Sequence, residues 1–244
     1  GARRGSGRLS YSEVFGRTLV RLAEQDPRIM AITAAMPTGT GLTAFARKFP
    51  DRFFDVGIAE GHAMVFAAGL AAGGCRPVVP LYSTFSQRAV DSLIHDIALQ
   101  QLPVTVCLDR AGLVGDDGPT HHGVFDIPLL AAVPNLVLVQ PKDEAELAAL
   151  LEGAIRRDGP TVIRYPRGAG PGVPYEPAAP PPAEGEAETL ETGDGVWIWA
   201  LGDMIPLARD AVRLLAEAGV RAGLVNARYI RPLDERLLAA QADD

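Results

Sequence analysis

Residues 54–74 read FDVGIAEGHAMVFAAGLAAGG. The opening residues continue an apolar run from Phe53 and read as a strand over 53–57. One acid follows, Glu60, and then a ladder of Ala and Gly. The Ala content predicts a helix over 60–70 despite the glycines, because Ala is the strongest helix former. A strand that turns at once into a small-sided helix is the repeating unit of a sheet covered by helices.

The same alternation extends in both directions. Ser10 and Glu13 form an S-x-x-E capping box before an amphipathic run that ends near Gln25. Strands are predicted over 29–34, 77–81, 104–109, 136–139 and 161–164, and helices over 42–48, 85–99 and 143–156. The strands are apolar on both faces, which predicts a doubly wound, mostly parallel α/β sheet. From 9 to 167 this reads as one domain. Residues 168–193, rich in Pro, Gly and Glu, read as an extended linker. A β-α-β-α unit then fills 194–244, with strands over 196–201 and 222–226 and helices over 206–218 and 233–240. About 50 residues is small against the ~100 usual for a domain. The expectation is therefore the front part of a second domain, in a chain cut from a longer one, as the missing initiator Met also suggests.

Of the 244 residues, 48% are hydrophobic and 22% charged, enough for a sizeable core. The net charge of −7 and the lack of a Lys/Arg run argue against nucleic acid or an anionic membrane as partner. Small anionic ligands need only a few arginines. Cys75 and Cys107 lie beside apolar segments outside any C-x-x-C pattern and read as buried free thiols, which fits a reducing, cytoplasmic setting. No run reaches the ~18 apolar residues of a membrane span, and GARRGSGRLS has no apolar signal core.

Ligands of doubly wound sheets bind at the carboxyl ends of the strands. Glu60 follows the second strand. Tyr82, Phe85 and Arg88 follow the third, in YSTFSQR. Arg110, Asp117, His121 and His122 lie in RAGLVGDDGPTHHG after the fourth, and Tyr165 and Arg167 lie in YPRG after the last. Each has a plainer explanation: Glu60 as a helix-dipole partner, Phe85 as core, Arg110 and Arg167 as surface ion pairs. Their convergence on one edge favours a site. Metal binding at Asp116–Asp117 with His121–His122 is disfavoured, because adjacent pairs give poor ligand geometry. His62 and His95 are expected to pack within helices. Gly193-Asp194-Gly195 with Asn226 imitates a magnesium motif, but it runs straight into the strand WIWAL and reads as a turn.

IAEGHA with FAAGLAAGG, YSTFSQRAVD, DRAGLVGDDGPTHHGVFD and RYPRG resemble the 1-deoxy-D-xylulose-5-phosphate synthase family, from about Ser10 to the end of the chain. Transketolases and the β-type subunits of 2-oxoacid dehydrogenases are the alternatives. The resemblance implies a thiamine-diphosphate enzyme that joins pyruvate to D-glyceraldehyde 3-phosphate with loss of CO2. It implies the pyrimidine-binding domain and part of the C-terminal domain of a homodimer. The diphosphate-binding domain, with its Mg2+ ligands, would lie outside this chain, leaving the chain alone inactive. By the same resemblance Glu60 would bond the cofactor's pyrimidine and share a proton with it at neutral pH. Ile58 would line the cofactor, Phe85 would stack on its ring, and Tyr82 and Arg88 would contact both cofactor and acceptor. Arg88, Arg110 and Arg167 would grip the acceptor phosphate, Asp117 would orient the acceptor, and His121 would handle protons at its carbonyl.

Overall fold

The computed structural model describes residues 8–176 and 178–242. The capping box is formed: Ser10 Oγ accepts from the Glu13 N–H at 3.2 Å, and Glu13 Oε2 accepts from the Ser10 N–H at 2.8 Å. Helix α1 (Tyr11–Gln25) leads to β1 (Ile29–Thr33), α2 (Thr43–Lys48), β2 (Phe53–Asp55), α3 (Glu60–Ala72) and β3 (Arg76–Tyr82). Four short pieces follow: α4 (Ser83–Ser86), a 3-10 turn (Gln87–Ala89), α5 (Val90–Ser92) and a π turn (Leu93–Ala98). Strand β4 (Thr105–Asp109), α6 (Asp126–Leu130), β5 (Val137–Val139), α7 (Glu144–Arg156) and β6 (Thr161–Arg164) complete the first unit.

Seven strands form one sheet in the order β10-β5-β6-β4-β3-β1-β2. Six of them run parallel; β10 (Tyr229–Arg231), from the far end of the chain, closes one edge antiparallel to β5. Side chains alternate between two cores. Ala31, Val78, Cys107 and Ile163 face α1 and α7, whereas Ile32, Val79, Val106, Leu108 and Val162 face α3 and the π turn. Successive apolar residues serve opposite faces, so the strands read as unbroken apolar runs. A smaller sheet, ordered β7-β9-β8, joins β7 (Glu188–Glu191), β8 (Val196–Ala200) and β9 (Ala222–Asn226). It packs on α8 (Ile205–Glu217) through Ala200, Ile205, Ala208, Val212 and Leu224, and α9 (Glu235–Ala242) follows β10.

The structure departs from the sequence reading in four places. The helix expected over 85–99 starts two residues earlier and changes winding at Ala89, where the backbone leaves the helical region (φ −121°, ψ 2°). Part of the expected linker, 168–193, is strand β7, an edge strand whose ETLE is half in water and so carries no apolar signal. The start of that stretch is also tied down: Gly168 O accepts from the Tyr11 N–H, and Glu144 accepts from the N–H groups of Gly172 and Val173. Strand β10 is too short for any periodicity to show. Finally, Cys107 is buried but Cys75 only half so, and His62 and His95 are exposed rather than packed inside. His62 stacks on Phe66, and His95 contacts Asp96. Among the described residues no helix is long and apolar enough to cross a membrane.

Two glycines separate close packing from mere flexibility. A Cβ on Gly16 of α1 would lie 2.1 Å from the carbonyl oxygen of Gly41, whereas a Cβ on Gly69 of α3 would meet nothing within 4 Å. Gly16→Ala should therefore destabilise the chain by about 1–3 kcal/mol through overpacking. Gly69→Ala should stabilise it by about 0.5–1 kcal/mol through helix propensity. Urea unfolding of the two variants beside the parent checks the opposite signs.

Candidate active site

The loops that leave the carboxyl ends of β1, β2, β3, β4 and β6 meet at one edge of the large sheet. Asp55 turns the first two: its Oδ1 accepts from the N–H groups of Ala35 and Gly57, at 2.9 and 3.0 Å. The chain then enters α3 with Glu60 in the first turn, where the dipole favours an acid. Glu60 is 4% exposed, and Arg88 Nη1 donates to its Oε1 at 2.7 Å. Among the described residues no group donates to its second oxygen. Ile58, two residues earlier, is 81% exposed.

Tyr82 ends β3, and Phe85 stands one turn later in α4. Their rings stack at 5.6 Å between centroids with 9° between planes. Arg88 lies over Phe85, and the His121 ring meets Phe85 edge-on at 5.6 Å. Gly39 makes room for this stack: a Cβ there would lie 2.5 Å from the Tyr82 hydroxyl oxygen. Gly123 likewise lets the 110–123 loop close on Ser83. That loop is held by paired N–H···O bonds between Gly112 and Gly123, both 2.8 Å, and by the Thr84 hydroxyl donating to the Thr120 carbonyl at 3.0 Å. Thr120 Oγ1 lies 3.0 Å from His121 Nδ1, which leaves Nε2 of His121 for a ligand. His122 turns the other way: its Nδ1 accepts from the Val114 N–H at 3.1 Å and braces the loop.

Three charged residues from two loops form a chain. Arg110 lies with its guanidinium carbon 3.8 Å from the Tyr82 ring centroid, a cation–π contact. Its Nε is 3.4 Å from Asp117 Oδ2, and Arg167 Nε is 2.9 Å from the same oxygen. Asp117 thus sits between two arginines. Beneath them Asp109, at 0% exposed, ends β4. It accepts from the Ser12 hydroxyl at 2.5 Å and contacts Arg110 Nη1 at 3.0 Å. Burial pushes its carboxyl up to about 6, against the opposing pull of Ser12 and Arg110. Burial also raises the Tyr82 phenol.

The site residues read from the sequence therefore divide. Glu60, Tyr82, Phe85, Arg88 and His121 are linked in one cluster, and Arg110, Asp117 and Arg167 join it through Tyr82. Arg88, expected at both the cofactor and the acceptor phosphate, is engaged with Glu60. Tyr165 points into the core, fully buried between Tyr11 and Phe15. Sequence reasoning passed over Asp109, although an acid closing an apolar strand was a usable signal, and Ser12, which carried none. It also passed over a buried network behind α4, in which Asp126 accepts from Ser83 Oγ at 3.0 Å and from Arg164 Nε at 2.9 Å. The Gly-Asp-Gly turn stands apart from all of this. Asp194 precedes β8, and Asn226 ends β9, which runs parallel to β8, so the two lie beyond opposite ends of the small sheet. Asn226 Nδ2 donates to Glu146 instead.

Residues 8–172 match the family model described as the transketolase pyrimidine-binding domain, and residues 185–243 match the transketolase C-terminal domain. The chain belongs to the transketolase pyrimidine-binding domain family. Within it, the chain is 55% identical over 236 residues to the 1-deoxy-D-xylulose-5-phosphate synthase of Symbiobacterium thermophilum, covering 97% of this chain and 36% of that protein. It is 54% identical over 235 residues to the synthase of Desulforudis audaxviator, covering 96% and 37%. It thus spans little more than a third of these relatives. Among solved structures, a split-gene transketolase, described as an inactive β4 tetramer, superposes with a TM-score of 0.85 at 30% identity, covering 97% of this chain and 77% of that one. A transketolase from Pichia stipitis superposes at 0.80 with 21% identity and shares the fold, covering 97% and 36%.

Asp109 of this transketolase-type domain sets a pH signature. An unfolded aspartate titrates near about 3.9. Between about pH 4 and 6 the folded chain keeps a proton that the unfolded chain has released, so this group lowers stability as pH rises through that window. In urea unfolding at a series of pH values, the stability difference between the parent and Asp109→Asn should therefore change by on the order of 2 kcal/mol from pH 4 to 6, against the parent. A constant difference would mean that Asp109 titrates as an ordinary carboxyl.

Proposed function

We propose that this chain supplies the pyrimidine-binding and acceptor-binding half of a 1-deoxy-D-xylulose-5-phosphate synthase. Such an enzyme condenses pyruvate with D-glyceraldehyde 3-phosphate, releases CO2 and feeds isoprenoid, thiamine and pyridoxal precursor synthesis. The observation that carries the reading is the juxtaposition of a buried acid, one of whose oxygens accepts from none of the described residues, with an aromatic stack and a pair of arginines, in a chain more than half identical to synthases over nearly its full length.

The residues fit the thiamine-diphosphate pyrimidine. Glu60 offers a carboxyl oxygen to a ring nitrogen, and Ile58 and Phe85 offer apolar surface to a flat ring. Thiamine diphosphate, when bound, supplies the carbon nucleophile and electron sink that decarboxylate a 2-oxo acid. Glu60 holds or shares a proton at the pyrimidine nitrogen, and Arg88 keeps its carboxyl group oriented. Arg110 and Arg167 hold the acceptor phosphate by charge-assisted hydrogen bonds, and Asp117 sets their spacing and orients the acceptor. His121 Nε2 exchanges a proton at the aldehyde oxygen, beside Tyr82. The diphosphate and Mg2+ would be held by a separate diphosphate-binding domain, and the working unit would be a cytoplasmic homodimer.

A split transketolase subunit is the second reading, favoured by the TM-score of 0.85 to a chain of that kind. Substrate use separates the two. The protein that carries this chain together with its diphosphate-binding domain, supplied with thiamine diphosphate, Mg2+, pyruvate and glyceraldehyde 3-phosphate, should release CO2 and consume the triose phosphate in equal amounts. Use of ketose donors without pyruvate would replace the synthase reading by the transketolase one. Glu60→Gln should lower kcat by about 10²–10⁴-fold while the circular dichroism spectrum stays unchanged. The 244-residue chain alone should show no turnover, as half of the site lies outside it.

A further inference from the structure

Arg110 is held by several groups at once, most of them behind the site. Its own backbone is in the left-handed region (φ 61°), so the residue turns sharply off the end of β4. Its Nη1 donates to the Gly39 carbonyl at 3.2 Å, and its guanidinium lies on the Tyr82 ring. On the core side is Asp109, fully buried at the strand end, with its second oxygen engaged by the Ser12 hydroxyl. Ser12 comes from the first turn of α1, and its backbone carbonyl abuts Gly41: a Cβ there would come within 2.1 Å of it. Gly41 belongs to the loop that also presents Gly39. Helix α1, the 36–42 loop and the end of β4 therefore converge on one guanidinium. Meanwhile Nε of Arg110 is buried without an aligned acceptor, since Asp117 lies 3.4 Å away and out of line. A buried donor without an aligned acceptor is costly and is satisfied by an anionic ligand that reaches it.

We infer that Ser12 and Asp109 are a positioning pair for Arg110, and that they set affinity for the phosphate of the acceptor while leaving the 2-oxo acid half of the reaction alone. Ser12 fixes the Asp109 carboxylate, whose other oxygen lies 3.0 Å from Nη1 of Arg110, out of line for a hydrogen bond, and so holds the guanidinium by charge while Gly39 takes the hydrogen bond. The inference deepens the proposed function and rests on its placement of Arg110 at the phosphate.

The test uses the complete protein that carries this chain. Steady-state constants are measured for pyruvate, for glyceraldehyde 3-phosphate and for unphosphorylated glyceraldehyde, and inorganic phosphate is titrated calorimetrically as a probe. Ser12→Ala should raise KM for the phosphorylated aldehyde, and Kd for phosphate, by about 3- to 10-fold. Its kcat and its KM for pyruvate should stay within about 2-fold, and its use of glyceraldehyde should be unaffected. Asp109→Asn should shift the same two constants, Ser12→Thr should restore them, and Ser12→Ala should add nothing in an Arg110→Ala background. Equal loss for both aldehydes, a parallel rise in KM for pyruvate, or additivity with Arg110→Ala would overturn the inference. If the parent makes no product from triose phosphate but Ser12→Ala still weakens phosphate binding through Arg110, the functional reading fails and the pair stands. If neither product nor phosphate binding is found, both fail. Should Ser12→Ala not fold, Asp109→Asn and Ser12→Thr carry the same comparison.

Discussion

A six-strand parallel sheet buried on both faces leaves polar side chains one place to go. Ala31 and Ile32, Val78 and Val79, and Val106 and Cys107 fill opposite cores in alternation. A charge pointing into either core would have to be paired or neutralised. The chemistry-bearing groups accordingly emerge where strands end, and five loops carry them to one edge. Asp109 marks the limit of this rule: it is the last residue of β4, fully buried, and is tolerated because Ser12 and Arg110 contact its carboxyl.

Within the site, small residues decide how closely the loops approach. Gly39 leaves room for the Tyr82 hydroxyl, and Gly123 for Ser83. These contacts bring the 36–42 and 110–123 loops against the Tyr82–Phe85 stack. The charges then arrange themselves in pairs across loops, Glu60 with Arg88 and Asp117 with Arg110 and Arg167. Arg88 and Arg167 keep part of their side chains in water, so these pairs fix geometry more than they add stability. The contact of Arg88 with Glu60 makes one arginine part of the acid's surroundings instead of a free anion receptor.

The two units of the chain are joined more closely than their composition suggests. Strand β10 adds to the large sheet, and Tyr229 enters its core. Asn226 and Arg228 reach Glu146 of α7, and Gln140 donates to Asp203 at 2.9 Å. Because Gln140 also meets Arg164, the polar contacts continue through Asp126 to Ser83, directly behind the aromatic stack.

Much of this was legible in the sequence. Apolar runs alternating with helical segments marked the parallel strands, and the capping box placed the start of α1, since both signals are local in the chain. The resemblance of IAEGHA, YSTFSQR, THHGVFD and RYPRG picked out Glu60, Phe85, His121 and Arg167, whose positions follow from strand ends. Strands β7 and β10 were not legible, because three or four half-exposed residues carry no period and are stabilised only by the neighbour they pair with. Nor were the partners of the charges. Glu60 with Arg88, and Ser12 with Asp109 across 97 residues of chain, are set by which loops the sheet order brings together. Local pattern was enough to bring most of the site residues to the carboxyl edge, Tyr165 excepted, which turns into the core; which of them touch follows from strand order and backbone clearance, which no local pattern encodes.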